Sequence, residues 1–167
     1  MPPRENLETR IHANAADDHK SKGRDGAVTP TTQNLQVINP ELLERESTHA
    51  IIGAFFDVYN QLGYGFLEHV YSLALERDLV ARGRMVGREV SIPIRFRGEV
   101  LTTQRVDMIV DEKIVVEIKS TFVLPPTAKR QLLNYLRATN LEVALLLHFG
   151  PDAKFYRLVQ SNEMKQR

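Results

Sequence analysis

The feature that most constrains this fold is an apolar run near the end of the chain, at residues 143–149. The run reads V-A-L-L-L-H-F and shows no alternation between apolar and polar positions. A strand with one face in water alternates, whereas a strand covered on both faces reads as a continuous apolar run. We therefore predict a central strand here, in a sheet that carries helices on both sides.

The segments upstream contain two helices followed by strands. Apolar residues recur every three to four positions within 50–62 and 67–79, and after Gly87 the period falls to two. Pro93 inside the first strand favours an edge position, because proline cannot donate a ladder hydrogen bond. Strands are predicted at about 90–96, 101–110, 114–120 and 155–159, and a third helix at about 127–139. The predicted fold class is mixed α/β in the order α-α-β-β-β-α-β-β, a mixed sheet flanked by helices.

The first 38 residues differ in composition from the rest of the chain. Charges of both signs alternate there with Asn, Ser, Gly and Thr, and the segment has no Phe or Tyr. Such a segment buries too little apolar surface to offset its chain entropy, so we predict a disordered tail at 1–38. A domain at 39–160 opens on the helix-start signal Asn39-Pro40-Glu41, and a short tail follows at 161–167.

Composition excludes several classes of protein. There is no cysteine, which removes disulfide frameworks, thiolate zinc sites and cysteine nucleophiles. The 22 Lys+Arg and 21 Asp+Glu residues give a net charge of +1, so a generally basic nucleic-acid binder is excluded and a local basic patch is not. No apolar run approaches the roughly 18 residues that a spanning helix needs. We expect a cytoplasmic protein with no membrane partner.

Two predicted strands carry acids and a lysine that the turn between them can bring together. Glu117 and Lys119 are two residues apart in one strand and so share a face. If residues 111–113 form a three-residue loop, Asp107 lies opposite Glu117 with the Cβ atoms about 5 Å apart. A two-residue loop would put the acids on opposite faces. The odd loop length is therefore a requirement of this site.

Two carboxylates at this short separation repel each other unless a proton or a cation lies between them. Hard oxygen ligands suit Mg²⁺ or Mn²⁺, and such an ion acidifies a bound water and neutralises charge on a phosphodiester. Lys119 on the same face would orient the water or stabilise the transition state. The alternative to a catalytic site is a structural ion pair on an exposed strand, but the apolar residues around Glu117 disfavour it. Carboxylate-pair glycoside hydrolysis leaves Lys119 unexplained.

Four short motifs then follow one another along the chain. Residues 65–71 read G-x-x-E-x-x-Y, and R-V-D at 105–107, V-E-I-K at 116–119 and Q-L-L-N-Y-L at 131–136 come after them. In this order and spacing the motifs resemble the GxxExxY family, a branch of the PD-(D/E)XK nuclease superfamily. The resemblance covers about residues 50–159 and implies a restriction-endonuclease-like core.

The resemblance also implies roles for individual residues. Asp107 and Glu117 would be the central metal ligands, and Glu68 an additional acid that binds the metal or its water. Lys119 would be the catalytic lysine, and Gln131 would begin a Q-x-x-x-Y element that faces the active site or the nucleic-acid backbone. The implied catalytic set is Glu68, Asp107, Glu117, Lys119 and Gln131.

Substrate contacts are expected from the helix after the third strand. No acid lies between Lys119 and Leu141, and the basic residues in that stretch suit a phosphate backbone, although a solvated surface also carries such charges. The predicted substrate-binding residues are Tyr71, on the second helix, and Lys129, Arg130, Gln131 and Tyr135, on the helix after the third strand.

For several of these residues a purely structural role is an equally valid interpretation of the sequence. Tyr71 also fits a core aromatic with a locally satisfied hydroxyl, and Glu68 fits a solvated carboxylate at a helix start. Tyr135 fits either role. Two positions depart from the family pattern, which more often has Asn at His148 and often has His at Tyr59. We expect His148 to be a satisfied histidine at a strand end.

The predicted function is metal-dependent hydrolysis of phosphodiester bonds in nucleic acid, DNA rather than RNA. The alternative is a catalytically silent module of the same fold that binds nucleic acid or a protein partner, since fold does not guarantee activity. Retention of the paired acids favours the enzyme. A homodimer would allow both strands of a duplex to be cut, but no interface signal is present in the sequence.

Overall fold

The computed structural model of this chain describes Asn39 and residues 41–165. The predicted tail at 1–38 lies outside them. The helices are α1 (Arg45–Leu62), α2 (Glu68–Ala81), α3 (Ala128–Ala138) and α4 (Asn162–Lys165). The strands are β1 (Val86–Phe96), β2 (Glu99–Val110), β3 (Ile114–Lys119), β4 (Val143–Phe149) and β5 (Ala153–Val159).

The strands form one mixed sheet in the order β1-β2-β3-β4-β5. β3 and β4 run parallel, and the other neighbouring pairs are antiparallel. The mixed α/β class is therefore confirmed. Pro93 does lie in an edge strand, and β4 is buried along its whole length, as its unalternating sequence indicated.

The sheet separates two apolar cores. Residues of α1 and α2 pack on one face, where Tyr71 and Phe55 both contact Phe149. α3 packs on the other face through Leu132 and Leu136. Alternate residues of β3 therefore enter different cores, which is why a strand of this kind needs apolar residues at consecutive positions.

The predicted start of the first helix, at Asn39-Pro40-Glu41, is wrong. The Asn39 side chain accepts a hydrogen bond from the Glu41 N–H at 3.0 Å, as a capping residue would. Residues 41–44 nevertheless form turns, and Glu44 has a left-handed φ of 50°. Because that conformation cannot continue a right-handed helix, α1 begins only at Arg45.

The segment at 161–167, predicted as a tail, contains the single-turn helix α4. Its Lys165 ammonium donates to the carbonyl oxygens of Thr139 and Leu141 at 3.0 and 2.6 Å, which ties α4 to the end of α3. Across the described residues, no helix combines the length and apolar character needed to cross a membrane.

Candidate active site

The turn between β2 and β3 determines which of their residues meet. Val110 pairs with Ile114, so residues 111–113 form the three-residue loop that the site requires. Asp111 and Glu112 have φ values of 55° and 57°. The Asp111 carboxylate also accepts hydrogen bonds from the Ser47 hydroxyl at 2.8 Å and the Met85 N–H at 3.0 Å. The loop is thus held by α1 and by the start of β1.

The backbone ladder between β2 and β3 ends just before the two acids. Its last pair is Met108 with Val116. Beyond that pair, Oδ2 of Asp107 accepts a hydrogen bond from the Ile118 N–H at 2.7 Å. A carboxylate therefore replaces the β2 carbonyl group at this point, and Asp107 comes to lie beside Glu117.

Glu117 is the most unusual side chain of this group because it is a carboxylate that is only 3% exposed. Its Oε1 accepts a hydrogen bond from Nζ of Lys119 at 2.7 Å, and its Oε2 is buried without a hydrogen-bond partner. Burial and the charge of Asp107 raise the pKa of Glu117 to about 7, against the opposing effect of Lys119. Burial likewise raises the pKa of Asp107.

Lys119 completes a charged group at the end of β3. Burial disfavours its ammonium, but the hydrogen bond to Glu117 and the surrounding acids outweigh it and raise the pKa of Lys119. The side chain therefore carries a proton at neutral pH. It provides the cation of this group.

Glu68 reaches the same end of β3 from the opposite face of the sheet. It is the first residue of α2, and its Oε1 accepts a hydrogen bond from the Ser120 N–H at 3.2 Å. Its charge contributes to the raised pKa values of both Asp107 and Glu117. Within residues 39 and 41–165, however, no three His, Cys, Asp or Glu side chains lie close enough to hold one metal ion. The structure therefore does not bring Glu68 together with Asp107 and Glu117 as the three metal ligands that the family resemblance implies.

Gln131 and Tyr135 lie on α3, on the face of the sheet that carries the acids. Nε2 of Gln131 donates to the Tyr135 hydroxyl at 2.5 Å. Burial, together with the charges of Glu117 and Asp107, raises the pKa of Tyr135. The two residues thus stack as their spacing indicated, and the phenol lies within electrostatic reach of the acids.

Tyr71 has no exposed surface, so in this structure it cannot contact a substrate. Its ring stacks on Phe149 with centroids 4.1 Å apart. Its hydroxyl donates to the Gly63 carbonyl at 2.7 Å and accepts from the Phe66 N–H at 3.2 Å. The structure thus places Tyr71 in the packing role that the sequence had left open, where it holds the loop before α2.

The two basic residues predicted to bind substrate are both exposed on α3. Nζ of Lys129 lies 3.8 Å from the ring centroid of Tyr156, a cation–π contact. Tyr156 pairs with Leu146, which in turn pairs with Glu117. Lys129 therefore lies on the acid-bearing face, above Tyr156, whose backbone is two strand spacings, or about 10 Å, from that of Glu117. Arg130 follows it on the helix surface.

Sequence reasoning missed Ser120, which connects the two sides of the site. Its N–H donates to Glu68, and its hydroxyl donates to the Phe66 carbonyl at 2.6 Å. His148 is only half satisfied, because Nε2 donates to the Thr121 carbonyl at 2.8 Å while the buried Nδ1 has no partner. A serine after a strand carries no sequence signal, so these contacts could be found only from the fold.

Comparison with known proteins agrees with this architecture. The family model of the PD-(D/E)XK nuclease superfamily matches residues 45–158. This chain belongs to the PD-(D/E)XK nuclease superfamily. Its five-stranded mixed sheet with helices on both faces is consistent with the restriction-endonuclease-like fold of that superfamily.

No curated protein matches the chain. Among solved structures, the crystal structure of SSO0001 is similar, with 20% sequence identity and a TM-score of 0.41. The match covers 74% of this chain and 63% of that one, so the chain spans less than two thirds of the length of SSO0001. A likeness this distant carries no functional argument.

Members of the PD-(D/E)XK nuclease superfamily commonly use divalent metals. The residues present fit such an ion, because the unpartnered Oε2 of Glu117 is a hard oxygen donor beside a second carboxylate, Asp107. These two side chains are the ones that would hold it.

Proposed function

We propose that this chain is a divalent-metal-dependent nuclease of the GxxExxY branch that hydrolyses phosphodiester bonds of DNA. The buried, unpartnered Oε2 of Glu117 carries the proposal. An unsatisfied buried polar atom costs about 1–3 kcal/mol, and more when it is charged. A cation bound between Glu117 and Asp107 would remove that cost, because Oε2 of Glu117 would then have a partner.

Each residue of the site has a separate task in this proposal. Asp107 and Glu117 hold Mg²⁺ or Mn²⁺, which when bound would neutralise phosphate charge and acidify water. Lys119 is protonated at neutral pH and held at Glu117, so it can stabilise negative charge that develops on phosphoryl oxygens. Glu68 acts through its charge on Asp107 and Glu117, and Gln131 faces the nucleic-acid backbone.

The positions of the GxxExxY motif support the branch assignment. Gly65 has a φ of +125°, a conformation that L side chains rarely adopt. Glu68 reaches past the end of β3 to Ser120, and Tyr71 closes the loop between them. Each of the three residues that define the motif therefore helps in a different way to place the start of α2 beside the acids of β2 and β3.

A catalytically silent module that binds nucleic acid or a protein partner is the second candidate. One observation favours it: among the described residues no third acid joins the other two closely enough to form a metal site. Lys119 also occupies one oxygen of Glu117. In a silent module this ion pair would be the final arrangement of the site.

Calorimetric titration with Mg²⁺ and Mn²⁺ separates the two candidates. We expect the wild type to bind the ion, and Glu117→Gln and Asp107→Asn to lose binding because each replaces a charged ligand with a neutral isostere. Glu99→Gln is the matched control, since Glu99 is an exposed acid at the β1–β2 turn. Labelled DNA and RNA are then assayed for cleavage with the same samples. Absence of ion binding by the wild type with DNA present would overturn the proposal.

A further inference from the structure

Two loops at the carboxyl end of β3 expose large apolar side chains beside the site. One lies before α2 and the other follows β3. The side chains are between 43% and 74% exposed, and we call them the apolar rim: Tyr64, Phe66, Leu67, Phe122 and Val123. On soluble proteins, a cluster of exposed apolar residues indicates an interaction surface, whereas single scattered apolar residues do not.

The rim is held by hydrogen bonds at its base. The Ser120 hydroxyl donates to the Phe66 carbonyl, so the two loops are joined directly. Tyr71 hydrogen-bonds Gly63 and Phe66 in the first loop, and His148 hydrogen-bonds the Thr121 carbonyl in the second. The backbone of both loops is therefore fixed by hydrogen bonds, while their apolar side chains are exposed to solvent. A preformed binding surface has these two properties.

The same hydrogen bonds connect the rim to the charged residues of the site. The Ser120 N–H donates to the Glu68 carboxylate, and Ser120 directly follows Lys119. Phe122 is three residues beyond Lys119, at most about 10 Å along the chain. A molecule that contacts Lys119 can therefore contact the rim at the same time.

Charge around the rim indicates what kind of molecule this is. Neither 63–67 nor 120–127 contains a charged residue, and no acid occurs from 120 to 141. Cations lie on both sides of the second loop, at Lys119 before it and at Lys129 and Arg130 after it. Neutral rings between cations complement a nucleic-acid strand, whose phosphates pair with cations while its bases stack on aromatic side chains.

We propose that the apolar rim stacks unpaired bases, so that the substrate is a nucleic-acid strand that is single-stranded next to the phosphate at Glu117 and Lys119. Bases within a duplex stack on one another, and an aromatic side chain reaches them only after they unstack. The inference rests on the proposed function for the position of the strand. It goes beyond that function by naming the form of the substrate.

The test measures binding without metal, so that it does not depend on cleavage. A single-stranded 16-mer DNA containing 2-aminopurine and the corresponding duplex are titrated with protein in EDTA, and fluorescence quenching reports stacking. We expect tighter binding of the single strand. Phe66→Ala and Phe122→Ala should each weaken it about fivefold or more, the effect of losing one stacked base. Phe122→Tyr should restore the affinity, whereas Phe122→Leu should not.

Phe96→Ala is the matched control. Phe96 is 59% exposed, and it lies seven residues, or about 23 Å of strand, along β1 from Glu89, the β1 residue whose charge acts on Asp107. Its replacement should leave binding unchanged. Thermal melting of Phe122→Ala and Phe96→Ala should match the wild type, because both rings are more than half exposed. Phe66 is 49% exposed and its ring lies 6.2 Å from that of Tyr71, so Phe66→Ala is compared at a temperature at which melting shows it to be folded.

Three binding results would overturn the inference. They are equal affinity of wild type for single strand and duplex, full retention of binding by Phe122→Leu, and loss of binding in Phe96→Ala as large as in Phe122→Ala. A wild-type dimer that becomes monomeric in Phe66→Ala, measured by light scattering, would show the rim to be a self-interface and would also overturn it. Metal-dependent cleavage that persists in these cases would leave the proposed nuclease function standing.

Discussion

The two halves of β3 are built on different principles although they belong to one six-residue strand. From Ile114 to Val116 the backbone pairs with β2 on one side and β4 on the other, and every side chain is buried in a core. From Glu117 to Lys119 only the β4 ladder continues, and the Asp107 side chain takes the place of β2.

This difference shows how a sheet makes a polar site without losing its order. Where β2 separates from β3, the Ile118 N–H needs a new acceptor, and the gap leaves room for side chains. The first half of the strand stabilises the fold through apolar burial. The second half buries a carboxylate whose raised pKa indicates that its ionised form is disfavoured, as expected where function rather than stability determines the residue.

The largest expected effect is on cleavage. Glu117→Gln should lower kcat/KM by about 10³-fold or more, since loss of the ion removes several kcal/mol of transition-state stabilisation. The measurement is the initial rate of cleavage of labelled DNA with Mg²⁺. Val116→Ala, in the other half of the strand, is the control and should retain the rate per folded molecule. Equal losses in both variants would contradict the division between the halves.

In the apolar half the large effect should be on stability. Leu145 pairs with Val116 and is fully buried in the α1–α2 core. Leu145→Ala should lower the free energy of unfolding by about 3 kcal/mol, through lost burial and a cavity. Urea denaturation measures the change. A loss below about 1 kcal/mol would show that this part of the sheet is not the stabilising half.

The polar half should make stability depend on pH. The pKa of Glu117 is raised in the folded state, so the folded protein binds the proton more tightly than the unfolded chain does. The free energy of unfolding should therefore fall as pH rises from 4.5 to about 7, by up to about 3 kcal/mol in EDTA. Asp107 shifts in the same direction and adds to the fall.

Glu117→Gln provides the comparison, because it cannot titrate. It should remove most of this slope and should be more stable than the wild type at pH 8 without metal. Chemical denaturation at several pH values measures both effects. A wild-type curve that rises between pH 4.5 and 7 would contradict the buried-acid interpretation.

A smaller effect should isolate the hydrogen bond that replaces the ladder. Asp107→Asn and Asp107→Ala both remove the charge, but only Asn keeps an acceptor for the Ile118 N–H. Asp107→Ala should therefore be about 1–2 kcal/mol less stable than Asp107→Asn. Hydrogen exchange at the Ile118 amide should be faster in the Ala variant. Equal stability and exchange would mean that the amide finds another acceptor.

The smallest effect should come from the exposed ion pair near the same position. Arg105 and Glu89 are 3.6 Å apart, and both side chains are more than half exposed. Arg105→Ala should change the free energy of unfolding by about 0.5 kcal/mol or less, because water screens the pair. A larger loss at low salt that disappears at high salt would show that this pair supports Asp107.

Much of the fold follows from local sequence. Residues 143–149 predicted a buried strand because a two-sided environment excludes polar positions, and Pro93 predicted an edge because its nitrogen cannot donate. The start of α1 could not be predicted in this way. The cap signal at Asn39 is present, but the left-handed Glu44 prevents the helix from continuing from it.

For the site, strand alternation established that Glu117 and Lys119 share a face, and it made the meeting of Asp107 with Glu117 conditional on a three-residue turn, which the structure has. Only the folded structure showed that Glu117 is buried with an unpartnered oxygen and that Tyr71 is a core residue. It alone joined Glu68 to Ser120, which are 52 residues apart. Periodicity reports which face a side chain occupies, whereas burial, charge coupling and long-range hydrogen bonds depend on what packs against that face.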